Sequence, residues 1–218
     1  MKKDFWLERW QREETGFHRD EFNPHLRLYW EELQPARDSV VFVPLCGKSR
    51  DMLWLCEQGH QVLGVELSAI AVQAFFKENG YTPQRVTGEK FDCCAANGIR
   101  ILRGDFFDLG RDDMAQVSTV YDRAALCALP PEMRERYVSH MAGILPRATR
   151  ILLITVDYPQ HEMQGPPFSV TTGEVEQLYR EHAEIRLLAS QDTLAQNPRF
   201  QQRGLSRMRE NIFMLTLR

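Results

Sequence analysis

The sequence predicts an α/β fold in which seven strands form a doubly wound, mainly parallel sheet with an antiparallel edge. Three observations lead to this prediction. Short runs of apolar and mostly β-branched residues recur along the chain, helical segments separate most of them, and turn-forming residues end many of the runs. Strands that alternate with helices form right-handed βαβ units around a parallel sheet.

The first 30 residues predict helix rather than strand. An aromatic-rich segment that starts at Asp4 is interrupted around residues 15–18. Asn23-Pro24 then has the form of a second helix start, because proline is favoured in the first turn. Judged on spacing alone, the aromatic residues fit a hydrophobic core better than a lid, and both interpretations stay open at this point.

Seven apolar runs after residue 39 predict the strands. They span residues 40–45, 61–66, 99–102, 117–121, 151–156, 184–189 and 212–217. The first run, VVFVPL, is continuously apolar, which favours a strand that is covered on both faces. The last two runs have little helical sequence between them, so we expect an antiparallel hairpin at the edge of the sheet.

Helical patterns occupy the connections between the strands. They cover residues 49–57, 70–77, 131–145 and 172–181. Ser68 is a suitable N-cap for the second of these helices, and Pro131 falls in the first turn of the third. Residues 81–98 are less regular, and their glycine and asparagine residues suggest turns around a small hairpin.

Composition places the chain among ordinary globular proteins. Its 218 residues are 43% hydrophobic and 26% charged, with a formal net charge of −3, which excludes the disordered, collagen-like and coiled-coil classes. The slight acidity disfavours a nucleic-acid partner, because binding to a phosphate backbone needs a concentrated positive field. No apolar run is long enough to span a membrane, and no secretory signal follows the N-terminus.

The cysteines and histidines predict neither disulfides nor a metal site. Five cysteines without a C-x-x-C pair indicate a reduced, cytoplasmic protein. No cluster has the spacing of metal ligands, so no metal is expected. No pattern supplies Cys46 or Cys127 with a base, and no G-x-S-x-G nucleophile motif occurs. No apolar stripe marks an interface, which favours a monomer.

The ends of the first two strands carry the most informative candidate residues, because ligands of such sheets bind at the carboxyl ends of the strands. The first strand ends in VPLCGKS, where Gly47 is the one glycine, so a dinucleotide fingerprint and a phosphate-binding loop are both disfavoured. Glu66 ends the second strand, 19 residues after Gly47, a spacing that suits an acid on both ribose hydroxyls of an adenosine. Adenosine without a pyrophosphate indicates S-adenosylmethionine. The alternative is a turn glycine and a surface glutamate.

Two further strand ends carry less specific signals. Asp105-Phe106 follows the third strand, where an acid can meet an adenine amino group while an apolar neighbour packs on the ring. Alternatively, Asp105 caps the following segment. Asp122-Arg123 ends the fourth strand, at the position nearest a methyl donor, and the alternative there is a surface ion pair of little value.

The chain also resembles a known family. Residues 43–52 (VPLCGKSRDM) look like the first motif of the thiopurine S-methyltransferases. Three more segments are similar to motifs of that family and occur in the same order, namely residues 5–18, residues 121–126 (YDRAAL) and residues 165–168 (GPPF). Each motif is modest, but together they are specific and span nearly the whole chain.

The resemblance implies a class I methyltransferase with a Rossmann-like fold. It implies a single domain, residues 1–218, of which residues 1–34 form an N-terminal helical lid segment. The implied reaction is S-methylation of aromatic and heterocyclic thiols, such as the thiopurine 6-mercaptopurine, with S-adenosyl-L-methionine as methyl donor and S-adenosyl-L-homocysteine as product. Methylation of selenium and tellurium compounds, a form of metalloid detoxification, is implied as well.

The resemblance also carries over site residues by position. Cofactor contacts are expected at Trp10, Phe17, Leu45, Glu66, Asp105, Phe106 and Arg123. Arg123 is also the expected catalytic residue, where it favours the anionic sulfur or a purine nitrogen of the small-molecule acceptor. Phe17 and Trp10 are expected to form an aromatic lid. Residues 165–168 follow the fifth strand and should form a stiff loop over the substrate mouth, although the residues alone favour a plain rigid turn.

Four other functions compete with this interpretation. A methyltransferase of the same fold could act on a different small-molecule acceptor. The missing glycines disfavour a dinucleotide-dependent oxidoreductase, and the charge balance disfavours a nucleic-acid methyltransferase. A non-enzymatic module would have a damaged cofactor motif, and none is damaged here.

Overall fold

The computed structural model describes residues 3–14 and 18–218, and within them nine strands form one sheet. The strands are β1 (Val40–Val43), β2 (Gln61–Glu66), β3 (Gln84–Thr87), β4 (Asp92–Ala96), β5 (Ile99–Arg103), β6 (Val117–Arg123), β7 (Arg150–Asp157), β8 (Ala183–Asp192) and β9 (Arg209–Leu217). Their order across the sheet is β3-β4-β5-β2-β1-β6-β7-β9-β8. The adjoining strands from β5 to β7 are parallel, and β9 is antiparallel to both of its neighbours. The doubly wound, mainly parallel sheet with an antiparallel edge is therefore confirmed.

The predicted number of seven strands is wrong, because β3 and β4 add a hairpin to the sheet. The hairpin pairs antiparallel with β5 and falls in residues 81–98, where turn residues suggested one. All four residues of β3 are exposed, so this strand lacks the apolar alternation by which sequence reveals a strand. The other seven strands are those predicted, with ends that move by up to three residues.

In the described chain, two helices precede β1 and the others lie in connections between strands. They are α1 (Lys3–Gln11), α2 (Pro24–Tyr29), α3 (Asp51–Glu57), α4 (Ala69–Glu78), α5 (Arg111–Met114), α6 (Ala125–Ala128), α7 (Pro131–Ile144), α8 (Thr172–Tyr179) and α9 (Pro198–Gln202). Short 3-10 helices cover Trp30–Leu33, Phe106–Asp108 and Gln160–Glu162. The predicted cap of α4 is confirmed, since the Ser68 hydroxyl accepts a hydrogen bond from the amide of Ala71.

Hydrophobic cores lie on both faces of the sheet. Phe42 of β1 packs into the core that includes α7, whereas Val41 and Val43 pack into the core that includes Trp30. Alternate side chains of one strand point to opposite faces, so a strand covered on both faces is apolar at consecutive positions. This burial explains the continuous apolar run that predicts β1.

The N-terminal segment forms two helices before the sheet begins. The Asn23 side chain accepts hydrogen bonds from the amides of His25 and Leu26, at 2.8 and 3.2 Å, which confirms the predicted start of α2. The predicted interruption around residues 15–18 lies mostly outside the described residues.

No helix in the described chain is both long and apolar enough to cross a bilayer. All five cysteines are free thiols.

Candidate active site

A cavity of about 270 Å³ opens at the carboxyl ends of the parallel strands. Leu45 and Gly47 after β1, Glu66 at the end of β2, and Asp105 and Phe106 after β5 all line it. The strand order reverses at β1, because β2 and β5 lie on one side and β6 on the other. Ligands of doubly wound sheets bind at such a switch point, so the cavity occupies the position that the fold favours.

The loop after β1 forms part of the cavity wall with an unusual backbone. Leu45 and Gly47 both have positive φ angles, 45° and 54°. A Cβ atom on Gly47 would lie 3.3 Å from Cζ2 of Trp10, so a side chain there would press on the indole. The single glycine of VPLCGKS therefore lets Trp10 approach the backbone closely.

Glu66 is a buried carboxylate held by backbone amides. Its side chain accepts hydrogen bonds from the amides of Gly47 at 2.9 Å and of Ser68 at 2.7 Å, and the residue is 6% exposed. Burial raises the pKa of Glu66, while the backbone amides oppose that shift. A carboxylate has about four acceptor sites, so Glu66 keeps acceptor capacity for a hydroxyl donor beside its backbone amides. The alternative of a surface glutamate is wrong.

Asp105 has two partners at the cavity wall. One carboxylate oxygen accepts a hydrogen bond from the amide of Phe107 at 3.0 Å, as expected of a residue that caps the following segment. The other oxygen forms an ion pair of 2.7 Å with Lys3. Because Asp105 also lines the cavity, the two interpretations of this residue are compatible.

Phe106 belongs to an aromatic cluster behind the cavity. Its ring centroid lies 4.8 Å from that of Tyr137 and 6.4 Å from that of Phe42. Phe106 is 2% exposed, so its ring is fixed on several sides. This packing makes the wall next to Asp105 rigid and apolar.

The N-terminal helix covers the cavity with aromatic side chains. Trp6 and Trp10 of α1 both line it, and Trp10 is 5% exposed. The core and lid interpretations are therefore not exclusive, because Trp10 is buried and yet faces the cavity. Phe17, also expected here, lies outside the described residues.

The structure separates Arg123 from the other candidates. This half-buried residue ends β6, and it is not among the described residues that line the cavity. Arg123 lies near Glu210. Burial by itself would raise the pKa of the Glu210 carboxyl. The hydrogen bond with His25 and the nearby charges of Arg19 and Arg123 outweigh burial and hold the pKa of Glu210 below its usual value.

Asp122 and Arg123 do not form the alternative surface ion pair. Asp122 is fully buried, and its carboxylate accepts hydrogen bonds from Tyr137 Oη at 2.7 Å and from the amide of Leu126 at 3.3 Å. Neighbouring residues of a strand point to opposite faces, which separates the two side chains.

Helix α7 and the loop before α8 also line the cavity. The sequence predicted this position for the loop but not for the helix. Met133 and Tyr137 of α7 line the cavity, but their spacing is that of an ordinary buried helix face, so sequence offers no signal for them. Pro166 and Pro167 line it as expected. The loop is pinned, since Tyr158 Oη donates to the carbonyl of Pro167 at 2.6 Å and the Phe168 amide donates to that of Cys127 at 2.7 Å.

The thiols are not placed for nucleophilic chemistry. Burial raises the pKa of Cys127 to about 12 and that of Cys46 well above its usual value, so both thiols stay protonated at neutral pH. No group of His, Cys, Asp or Glu among residues 3–14 and 18–218 could hold a metal ion.

Comparison with known proteins gives consistent matches over the whole chain. The family model described as Thiopurine S-methyltransferase (TPMT) matches residues 1–218. A thiopurine S-methyltransferase from Nitrosospira multiformis is 64% identical over 218 residues, which covers 100% of this chain and 99% of that protein. One from Azotobacter vinelandii is 47% identical over 218 residues, with 100% of both chains covered.

Solved structures resemble the chain at the level of the fold. The 1,6-didemethyltoxoflavin-N1-methyltransferase of Burkholderia thailandensis, solved with 1,6-didemethyltoxoflavin and S-adenosylhomocysteine, superposes with a TM-score of 0.64 at 18% identity. The match covers 99% of this chain and 86% of that one. A TehB-like SAM-dependent methyltransferase from Corynebacterium glutamicum superposes with a TM-score of 0.55 at 16% identity and covers 97% and 96% of the two chains. At such identities the likeness concerns the fold alone.

Proposed function

The chain belongs to the thiopurine S-methyltransferase family, and we propose that its cavity transfers the methyl group of S-adenosyl-L-methionine to the sulfur of aromatic and heterocyclic thiols such as 6-mercaptopurine. The products are the S-methyl thiol and S-adenosyl-L-homocysteine. The observation that supports this most is the placement of buried Glu66 beside a single-glycine loop, at the switch point of a class I methyltransferase fold.

The residues present fit S-adenosylmethionine better than a dinucleotide. Glu66 has acceptor capacity left for the ribose hydroxyls. Asp105, Phe106 and Tyr137, which we call the adenine wall, offer a carboxylate beside buried rings. Leu45 and the loop that follows it offer no cradle for a pyrophosphate. When bound, the sulfonium of this cofactor supplies an activated methyl group.

The acceptor side of the cavity is apolar. Ala124, Ala128, Leu129, Pro166 and Pro167 line it, and we call these residues the acceptor wall. Such a surface suits a flat aromatic ring and excludes water from the sulfur. Because a heteroaromatic thiol ionises without a strong base, the protein mainly has to align the sulfur with the methyl group.

Arg123 is proposed to favour the anionic sulfur or a purine nitrogen of the acceptor. It directly precedes Ala124 of the acceptor wall. Its positive charge contributes to the lowered pKa of buried Glu210, so this cation lies near the carboxyl end of β6. Arg123→Ala is expected to lower kcat/KM for thiopurines, and an unchanged value would refute this role.

Helix α1 supports the proposal that residues 1–34 form a lid on a single domain of residues 1–218. Lys3, Trp6 and Trp10 project from one helix into the cavity wall. A monomer is supported by the exposed large apolar residues of the described chain, because Leu28, Ile70, Val86 and Leu187 lie on four different elements. Five free cysteines support a cytoplasmic location.

A methyl-transfer assay with a panel of acceptors tests the function. Purified protein and S-adenosylmethionine are incubated with 6-mercaptopurine, thiophenol, selenite, tellurite, a catechol or an amine. Turnover of the two thiols is expected, and turnover of selenite or tellurite would add the metalloid reaction implied by the family resemblance. Turnover of the catechol or the amine alone would refute the assignment of a thiol as the acceptor.

A further inference from the structure

Asp122 is a buried carboxylate that the chemistry above does not use. It is 0% exposed, and its described hydrogen-bond donors are neutral: the hydroxyl of Tyr137 and backbone amides at the start of α6. The titratable groups that face it are Tyr137 of α7, Tyr179 of α8 and Cys127 of α6. Burial raises the pKa of all three, so they are uncharged at neutral pH and no described cation offsets Asp122. Burying a carboxylate without a counter-charge costs free energy, so we expect Asp122 to have a role that offsets this cost.

Each side-chain oxygen of Asp122 accepts a hydrogen bond from an element that lines one wall of the cavity. Oδ2 accepts from Tyr137, whose ring lines the cavity and lies 4.8 Å, centroid to centroid, from Phe106 of the adenine wall. Oδ1 accepts from the amide of Leu126 in the first turn of α6, a helix that carries Ala128 of the acceptor wall. One carboxylate therefore connects the wall expected at the adenine with the wall expected at the thiol.

The hydrogen bond between Asp122 and Leu126 lies beside a strained backbone position, Ala124, just before α6. Ala124 lines the cavity with a left-handed conformation, φ 67°, which a residue with a side chain adopts only at a cost. The Oδ1 bond to Leu126, two residues later, helps to hold that turn. Loss of this bond removes one restraint on the turn, beside the bond from the Ala128 amide to the carbonyl of Ala124.

We propose that Asp122 is a positioning residue, whose carboxylate fixes Tyr137 and the first turn of α6 relative to each other so that the adenine and acceptor walls match. The inference rests on the proposed function. The ionised form is the competent one, because its two hydrogen bonds are charge-assisted, whereas a protonated carboxyl makes only neutral hydrogen bonds and meets the Tyr137 hydroxyl with donor and acceptor exchanged. Burial raises the pKa of Asp122 to about 6, so the connection weakens just below neutral pH.

The test is the affinity for S-adenosylhomocysteine between pH 5 and 8, measured by calorimetry. This product titrates little in that range, and no acceptor is needed. We expect the affinity of the wild type to fall as pH drops through about 6. Asp122→Asn should bind roughly tenfold more weakly at pH 8, the loss that one buried hydrogen bond produces, and should lack the pH dependence.

Two tyrosine variants separate positioning from a general effect on the fold. Tyr137→Phe removes a donor that favours the charged carboxylate, so the transition should move to higher pH. Tyr179→Phe is the matched control, because the Tyr179 hydroxyl is buried without a partner in the described chain, and it should behave like the wild type. The Tyr137→Phe result stands even if Asp122→Asn does not fold.

Two results would overturn the proposal. One is a transition that persists in Asp122→Asn, which would assign it to Glu66, the other buried carboxylate with a raised pKa at the cavity. The other is a transition at the same pH in Tyr137→Phe. Failure of thiol methylation with this pH behaviour intact would instead refute the proposed acceptor and leave the positioning role standing.

Discussion

Glu66 is the single side chain on which cofactor binding should depend most. Glu66→Ala removes the carboxylate that faces the cavity, and we expect the affinity for S-adenosylmethionine to fall by roughly 1–3 kcal/mol, the scale of a lost charged hydrogen bond. Titration calorimetry measures this directly. Glu78→Ala is the matched control, because Glu78 forms an exposed ion pair with Lys48 outside the cavity and should leave the affinity unchanged. Equal affinity in Glu66→Ala and the wild type would remove the assignment.

Gly47 tests the close approach of Trp10 to the loop. Gly47→Ala places a methyl group 3.3 Å from the indole at φ +54°, so we expect about 1–2 kcal/mol of destabilisation together with weaker cofactor binding. Gly59→Ala separates the two effects, because Gly59 has φ +90° but no atom within 4 Å of the added carbon. It should lose stability and keep its affinity. Equal affinity in both variants would contradict a contact between Trp10 and the loop that matters for binding.

Asp122 should also leave a signature in stability. Its pKa in the folded protein, about 6, lies above the value of about 3.9 in unfolded chains, so the folded state favours the protonated form. This contribution is complete below pH 4 and is lost as pH rises through 6. Asp122→Asn cannot ionise, so its stability relative to the wild type should rise by about 1–2 kcal/mol between pH 5 and pH 7.5. Urea unfolding at the two pH values measures it, and a constant difference would be the contrary result.

At the scale of elements, α1 is the part of the structure that closes the cavity. Trp10→Ala removes a buried aromatic from the wall, and we expect cofactor affinity to drop about tenfold or more, as for an aromatic anchor in a binding pocket. Lys3→Ala is the comparison on the same helix. Lys3 is 61% exposed and its ion pair with Asp105 is screened by solvent, so the effect should be small and should vanish at high salt. A larger loss from Lys3→Ala than from Trp10→Ala would contradict an aromatic lid.

The elements that sequence predicts well are those with a strong apolar period. Strands β1, β2, β6 and β7 are buried along most of their length and α4 carries its own cap, so each leaves a clear pattern. Short or exposed elements leave none. Strand β3 is exposed throughout, and α6 has four residues in an apolar stretch that contains no helix signal of its own.

The candidate site shows the same division between local and long-range information. Glu66 and Leu45 were identifiable because the ends of parallel strands meet at one edge of the sheet. Tyr137 was not, because its role depends on contact with Asp122, 15 residues earlier in the chain. Arg123 was identifiable both as the residue that ends a predicted strand and from the family resemblance, and it is not among the described residues that line the cavity.

At the scale of the whole molecule, the sheet brings distant segments to one place. The cavity combines residues from the N-terminal helix, the ends of β1, β2, β5 and β6, helix α7 and the loop at residues 165–168. Two residues of its wall have a left-handed backbone conformation although they carry side chains, namely Ala124 after β6 and Leu45 after β1. These two strands are neighbours at the switch point. This arrangement supports a rigid pocket that aligns two bound molecules, and it matches a reaction that depends on orientation more than on proton transfer.

The most direct test of this account is to identify the methylated atom. The protein is incubated with 6-mercaptopurine and S-adenosylmethionine that carries a ¹³C methyl group, and the product is examined by NMR, with Glu66→Ala as the control for the cavity. We expect a methyl group on sulfur, formed in equal amount with S-adenosylhomocysteine and strongly reduced in the variant. A methyl group on a ring nitrogen, or no product while the cofactor remains bound, would contradict it.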